Sequence, residues 1–278
     1  MARIIAVANQ KGGVGKTTTS VNLSTGLVLL GQKVLVIDLD PQANASITFG
    51  VDISEIKQSM SDILLNRDLD IRYTIYKKGN LHIAPSNLTL SKTQKEMYGI
   101  TNAELRLRQK LRPIEHEYDF IIIDTPPTLG TLLNSALNAC REVFIPIDVG
   151  YYALIGITEL LSEVEAIKDT NPQIEVTGVL LTMAENTNLS GDILEAIQSQ
   201  FKDKVFNTVI HKNVRIAEAP SHRMSIFEYD ENARGATDYL NLAREVLQWK
   251  KPKQMYPAPT EEGEPSSAPP ADAAARPG

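Results

Sequence analysis

The sequence predicts an α/β protein: a doubly wound, mostly parallel sheet with helices on both faces. Three observations carry that expectation. Apolar runs of strand length recur along the chain without polar alternation, which suits strands buried on both faces. Helical patterns lie between these runs, so strand and helix alternate. The first run leads directly into a glycine-rich turn and then a helix.

In chain order, the strand-like runs are Arg3–Asn9, Lys33–Asp38, Asn80–Pro85, Asp119–Asp124, Arg141–Ile147, Ile174–Thr182 and Lys204–Ile210. Each is dense in Ile, Val, Leu or Phe. Helical patterns cover Thr17–Leu30, Glu104–Leu111, Leu154–Lys168, Gly191–Phe201 and Asn232–Trp249. No internal repeat is visible. The composition changes at Pro252, where Pro, Ala, Ser and Glu take over and large apolar residues almost vanish. Such a segment buries too little surface to offset its chain entropy, so 252–278 is expected to be a disordered tail behind one domain over 1–251.

The chain has 278 residues, 42% hydrophobic and 22% charged, an ordinary composition for a soluble globular protein. Cys140 is its one cysteine, which excludes an internal disulfide or a cysteine-rich metal site within one chain. The N-terminus lacks the pattern of a signal peptide, and no run reaches the ~18 apolar residues of a membrane span. A cytoplasmic protein without membrane attachment is expected. The net charge is -6, a poor footing for nucleic-acid binding through the overall field, although a local basic patch stays open.

The turn after the first strand reads "NQKGGVGKTTT". Gly12, Gly13 and Gly15 let the backbone turn tightly and aim successive N–H groups inward. With the positive end of the following helix they form an anion site. Lys16 is placed to reach the β- and γ-phosphates of a nucleotide, and Thr17 offers a hydroxyl to Mg²⁺. The plain phosphate-loop pattern needs glycine at position 10, where this chain has Gln10, and it has no use for Lys11.

"KGGVGKTT" is the deviant Walker A signature of P-loop NTPases of the ParA/MinD family, and the chain resembles that family from Ala2 to Trp249. "VLVIDLDPQANAS" is similar to its second motif and "YDFIIIDTPPTLG" to its Walker B region. "VFIPIDVGYYALIGITEL" and "TVIHKNVRIAEAPSH" resemble the ParA/Soj branch in particular. The resemblance implies an ATPase using ATP and Mg²⁺ and closing into a nucleotide-sandwich homodimer. It implies that Lys11 crosses to the partner's ATP while Lys16 acts in cis. The implied nucleotide contacts are Lys11, Gly12, Gly13, Val14, Gly15, Lys16, Thr17, Thr18 and, at the adenine, Asn213. The residue two before Asn213, usually proline in that motif, is His211 here.

Asp38 and Asp40 close the second strand, at the edge where ligands of such sheets bind. If the chain stays extended, the two point the same way. The family places its water-orienting carboxylate at Asp40, with Asp38 nearer the metal. Strand-end Asp is also common in plain turns. Asp124 ends "FIIID" as a Walker B carboxylate does and would hold Mg²⁺ through a water. Catalysis is thus expected from Lys11, Lys16 and Asp40, and metal binding from Thr17, Asp38 and Asp124.

The resemblance also implies ATP-dependent, sequence-independent binding to double-stranded DNA, a nucleoid location, and a ParB-like activator. Lys212, Arg215 and Arg223 put three positive charges within twelve residues, and Arg215 matches the family's DNA-contacting arginine. The alternative is that Arg215 pairs with Glu218 on one helical turn. Relatives carry a further arginine in the loop after the "LLTM" strand; here that loop, "AENTNLSGD", has none, and Lys202 and Lys204 stand nearby. The phosphate loop begins at residue 11, so no helix-turn-helix domain is expected ahead of it. Chromosome or plasmid partition is the expected function. Positioning of another cargo, a membrane-cycling MinD-like role and a metabolic ligase with the same loop are the alternatives.

Overall fold

The computed structural model describes residues 1–150 and 155–249. The expected tail over 252–278, and Leu154 at the start of the expected helix Leu154–Lys168, lie outside the described residues.

Seven strands form one sheet in the order β3-β4-β2-β5-β1-β6-β7. They are β1 (Arg3–Val7), β2 (Val34–Asp38), β3 (Tyr76–Lys78), β4 (Leu81–Ala84), β5 (Phe120–Asp124), β6 (Glu142–Asp148) and β7 (Glu175–Thr182). All neighbouring pairs are parallel except β3 with β4. The helices are α1 (Lys16–Leu29), α2 (Asn44–Thr48), α3 (Met60–Leu65), α4 (Leu90–Met97), α5 (Arg106–Leu111), α6 (Thr131–Ala139), α7 (Ile155–Ile167), α8 (Asn188–Phe201), α9 (Val214–Glu218), α10 (Ile226–Tyr229) and α11 (Arg234–Gln248). The expected doubly wound class is the observed one.

Why the strands lack polar alternation follows from the two cores. Ile4 and Ala6 of β1 join one apolar cluster, together with Leu107 of α5, Leu133 of α6 and Leu160 of α7. Ile5 and Val7 join the other, with Leu23 and Leu27 of α1 and Leu242 and Val246 of α11. Both faces are therefore dry, as a parallel sheet requires. Helices α1 and α11 approach closely, since a Cβ on Gly26 would lie 3.0 Å from that of Ala243.

Two expectations need correction. The run Lys204–Ile210 is not a strand. It lies beside β7 and touches it at one isolated bridge, Val179 with Val205, while a second, Ala184 with His211, joins the residues just beyond each. Its Phe206 and Ile210 amides reach β7 carbonyls, but those of Asn207 and Thr208 donate to the Glu245 carboxylate of α11 at 2.7 and 2.9 Å. That side chain captures the donors a ladder would need. Conversely, β3 was hidden in "YKKGNLHIA", where Gly79, at φ 60, turns the chain into a short antiparallel hairpin.

Phe206 packs across β7 where Gly178 leaves room; a Cβ there would collide with the Phe206 ring and lie 2.8 Å from Phe144 Cδ1. Gly178→Ala should therefore overpack the core and lower unfolding free energy by about 1–3 kcal/mol, read by urea titration. An unchanged midpoint would show that the rings shift freely.

Candidate functional site

Parallel pairing puts the carboxyl ends of β1, β2, β5, β6 and β7 along one edge. There the chain leaves β1 at Asn9, whose side-chain amide donates to the Pro146 carbonyl at 2.7 Å and whose Oδ1 accepts from the Lys11 amide at 3.0 Å. These two bonds fix the entry to the glycine-rich loop. Gly13 and Gly15 take φ of 76 and 87°, which other residues adopt at a cost, and α1 begins directly after Gly15. A Cβ on Gly12 or Gly13 would meet nothing within 4 Å, so both glycines border open space. Val14 is buried under it. From below, the Thr182 hydroxyl at the end of β7 lies 2.9 Å from the Val14 carbonyl.

Lys16 is buried, with Nζ donating to the Lys11 carbonyl at 3.0 Å. Desolvation lowers its pKa, opposed by the charges of Asp124 and Asp40. Thr17 donates to Asp124 Oδ2 at 2.8 Å and Ser20, one turn on, to Asp124 Oδ1 at 2.9 Å. Register aligns Asp124 with Asp38 on the adjoining strand. Asp38 accepts from the Asp40 amide at 3.1 Å and from the amide and hydroxyl of Ser46 at 2.8 and 2.7 Å. The Leu39 amide still donates to the Asp124 carbonyl at 3.0 Å, and from Asp40 on the chain turns back over the Asp38 carboxylate. Asp40 accepts from the Gln42 amide at 2.9 Å through Oδ1, and its Oδ2 has no hydrogen-bond partner among the described residues.

Asp38 and Asp124 are fully buried, and both pKa values are raised. Burial is the first cause for each; for Asp124 the charge of Asp38 comes next, and hydroxyl donors oppose the shift. Asp124 and Asp40 thus act together on one ammonium, Lys16. No group of three His, Cys, Asp or Glu able to hold a metal occurs among the described residues. Asp124, Asp38 beside it and the Thr17 hydroxyl are oxygen donors of the kind a divalent cation takes, and phosphate oxygens would complete the set.

Lys11 points away from this cluster. Its ammonium sits against both oxygens of Asp148 at the end of β6, at 2.8 and 2.7 Å, with the lysine side chain 37% exposed. A Cβ on Gly150 would come within 2.7 Å of that ammonium. Asn213 caps α9, accepting from the Arg215 amide at 2.8 Å. His211 is tied to Asp238 at 3.0 Å.

The basic segment is largely paired within the chain. Lys212 bridges to Glu185, and Arg215 bridges to Glu218 at 3.1 Å and lies 3.7 Å from Asp230. Lys204 bridges to Glu175 at 3.0 Å. Arg223 forms no ion pair among the described residues. A cavity of about 260 Å³ runs from Thr17, Thr18 and Asn22 of α1, past Asn44 of α2, to Pro220 and Met224 beside this segment. Ser20, Ser46, Asp148 and Thr182 escaped the sequence reading, since isolated Ser, Thr and strand-end Asp carry no motif.

A family model described as an AAA domain matches residues 2–176. The sporulation initiation inhibitor protein Soj of Bacillus subtilis is 44% identical over 250 residues, covering 88% of this chain and 98% of that protein. The chain belongs to the ParA/Soj family. Among solved structures, cobyrinic acid a,c-diamide synthase from Mycobacterium smegmatis with bound ADP and magnesium superposes with a TM-score of 0.78 at 27% identity, covering 89% of this chain and 95% of that one. A putative plasmid partition protein from Borrelia burgdorferi bound to AMPPNP gives 0.77 at 26%, covering 89% and 99%. Likeness of fold therefore does not separate a ParA/Soj ATPase from a synthase; the sequence relatives do.

The raised carboxyls make stability pH-dependent. A carboxyl whose folded pKa is raised favours the folded state when protonated. That contribution is present below about pH 4 and is lost as pH rises through the raised values. Without nucleotide or metal, unfolding free energy should fall between about pH 5 and 8, and Asp124→Asn should flatten the fall. Urea unfolding at both pH values reads this; equal slopes in both proteins would sink it.

Proposed function

We propose that this ParA/Soj chain is an ATPase that dimerises on ATP, binds double-stranded DNA without sequence preference and drives chromosome or plasmid partition with a ParB-like activator. The cytoplasm and nucleoid are the corresponding location. The observation that carries the reading is the division of labour between two lysines. Lys16 is buried in the loop, while Lys11 stands half-exposed outside it. A charge in that place suits delivery to a second subunit.

ATP and Mg²⁺ supply the phosphoanhydride and the charge neutralisation it needs. The chain's own groups divide the remaining tasks. The loop amides from Gly12 to Thr18 and Lys16 would bind the phosphates. Thr17 and Asp124 would hold the metal, and Asp38, with its oxygens committed to Ser46 and Asp40, would brace them. Asp40 would orient the attacking water with its unpartnered oxygen. Asn213, its Oδ1 engaged as a cap, retains its amide N–H groups for adenine. Lys11 would leave Asp148 for the partner's phosphates, as an arginine finger does, for roughly 10³–10⁵ in rate.

A MinD-like membrane role has less support. The apolar face of α11 is spent against α1, so it offers no free amphipathic face to a membrane surface. DNA would be met by Arg223 first, then by Arg215 and Lys212 once they give up their acidic partners.

Two outcomes are expected. Lys11→Ala should still bind nucleotide but fail to dimerise on a non-hydrolysable analogue, whereas Asp148→Asn, which releases the ammonium, should dimerise at lower analogue concentration; light scattering reads both. On a random duplex at low salt, binding should require ATP, vanish in Arg215→Glu and strengthen about two- to fivefold in Glu185→Gln, which frees Lys212. Its salt slope should be near -0.9 per phosphate neutralised. Binding indifferent to nucleotide would overturn the reading.

A further inference from the structure

The sheet edge opposite the phosphate loop carries a second cavity, of about 250 Å³. Its lining is mixed: Ile4 near the start of β1 and Cys140 before β6 lie buried beneath it, beside Asn138 and Asn171. Its rim is cationic. Arg108 and Arg112 lie one turn apart on and just beyond α5, and Arg141 enters from the turn before β6. One carboxylate, Glu115, shares the lining, 3.8 Å from Arg141.

Within the chain these guanidinium groups have few partners, and Arg108 and Arg112 are exposed. Arg108 makes one bond of ordinary length, to the Thr170 carbonyl at 3.2 Å. Arg141 has the distant Glu115 and the Met1 sulfur at 3.8 Å. Arg112 forms no ion pair with any described residue. Three positive charges therefore meet one negative charge in a recess of a chain whose net charge is -6. Like charges one helical turn apart repel, so an anion between them removes a cost as well as adding bonds. Planar guanidinium forks match phosphate oxygens in pairs. The cavity falls below the ~300–1,000 Å³ usual for drug-sized ligands, so the anion is small.

We infer that this cavity binds a small phosphate-bearing anion, a diphosphate or a compact phosphate monoester, between Arg108, Arg112 and Arg141. The site is separate from the phosphate loop and independent of the DNA segment.

Inorganic pyrophosphate is the probe, titrated calorimetrically into full-length protein whose phosphate loop is saturated with Mg–ADP. One saturable site per chain is expected, weakening with salt and losing tenfold or more in affinity in Arg112→Gln and in Arg141→Gln. Both are surface changes, and matching melting curves establish that the variants fold. Absence of saturable binding, or equal affinity in wild type and both variants, overturns the proposal. Citrate titrated in parallel distinguishes the chemistry: citrate binding as tightly as pyrophosphate overturns the phosphate assignment.

Discussion

Asp38 and Asp124 face each other on adjoining strands, both without solvent, and the rest of the site is arranged around that fact. Two like charges in a low-dielectric layer are costly. The chain meets the cost with hydroxyls instead of cations: Thr17 and Ser20 on Asp124, Ser46 on Asp38. Each hydroxyl comes from a different helix turn, so the pair ties α1 and α2 to the sheet edge. An arrangement satisfied only by neutral donors has residual appetite for positive charge. Lys16 meets part of it from within the chain, and a divalent cation suits the remainder.

How much of this was legible in the sequence depends on range. The glycine loop was readable because strand, turn and helix are consecutive and each glycine has a backbone reason. Asp124 was readable as the end of an apolar run. Ser46 and Thr182 were not, because their roles exist only once β2, β7 and the loop have been brought together. The Lys11–Asp148 pair spans 137 residues and leaves no local trace. The same limit explains the failed strand at Lys204–Ile210. Its composition is strand-like, but Glu245, far along the chain, takes its amides. Tertiary context overrode propensity there.

Charge balance explains the basic segment better than composition does. Counting residues, Lys212, Arg215 and Arg223 look like a patch; in the fold, two of the three are held by acids. Exposed pairs of this kind are weak and screened by salt. In the DNA binding proposed above they would lower affinity without abolishing it, since releasing them costs little beside several phosphate contacts made at once. Two copies of the segment side by side would shift that balance further than any single arginine.

The phosphate loop and the basic segment are joined by physical contacts that a change at the site can move. Ser46, held by Asp38, belongs to α2, and α2 packs on the turn Ala219–His222 that follows Arg215. Asn22 on α1 accepts from the Ile226 amide at 2.8 Å, anchoring α10 from the other side. The cavity of about 260 Å³ lies between these two supports, so the segment is held at its ends and not filled in at its middle. A cation that draws Asp38 or Thr17 by a few tenths of an ångström acts on both supports together. Packed helices respond to such shifts by moving as units. The basic segment is thus linked to the carboxylate pair through α2 on one side and α1 on the other, a connection that suits the nucleotide-dependent DNA binding proposed above.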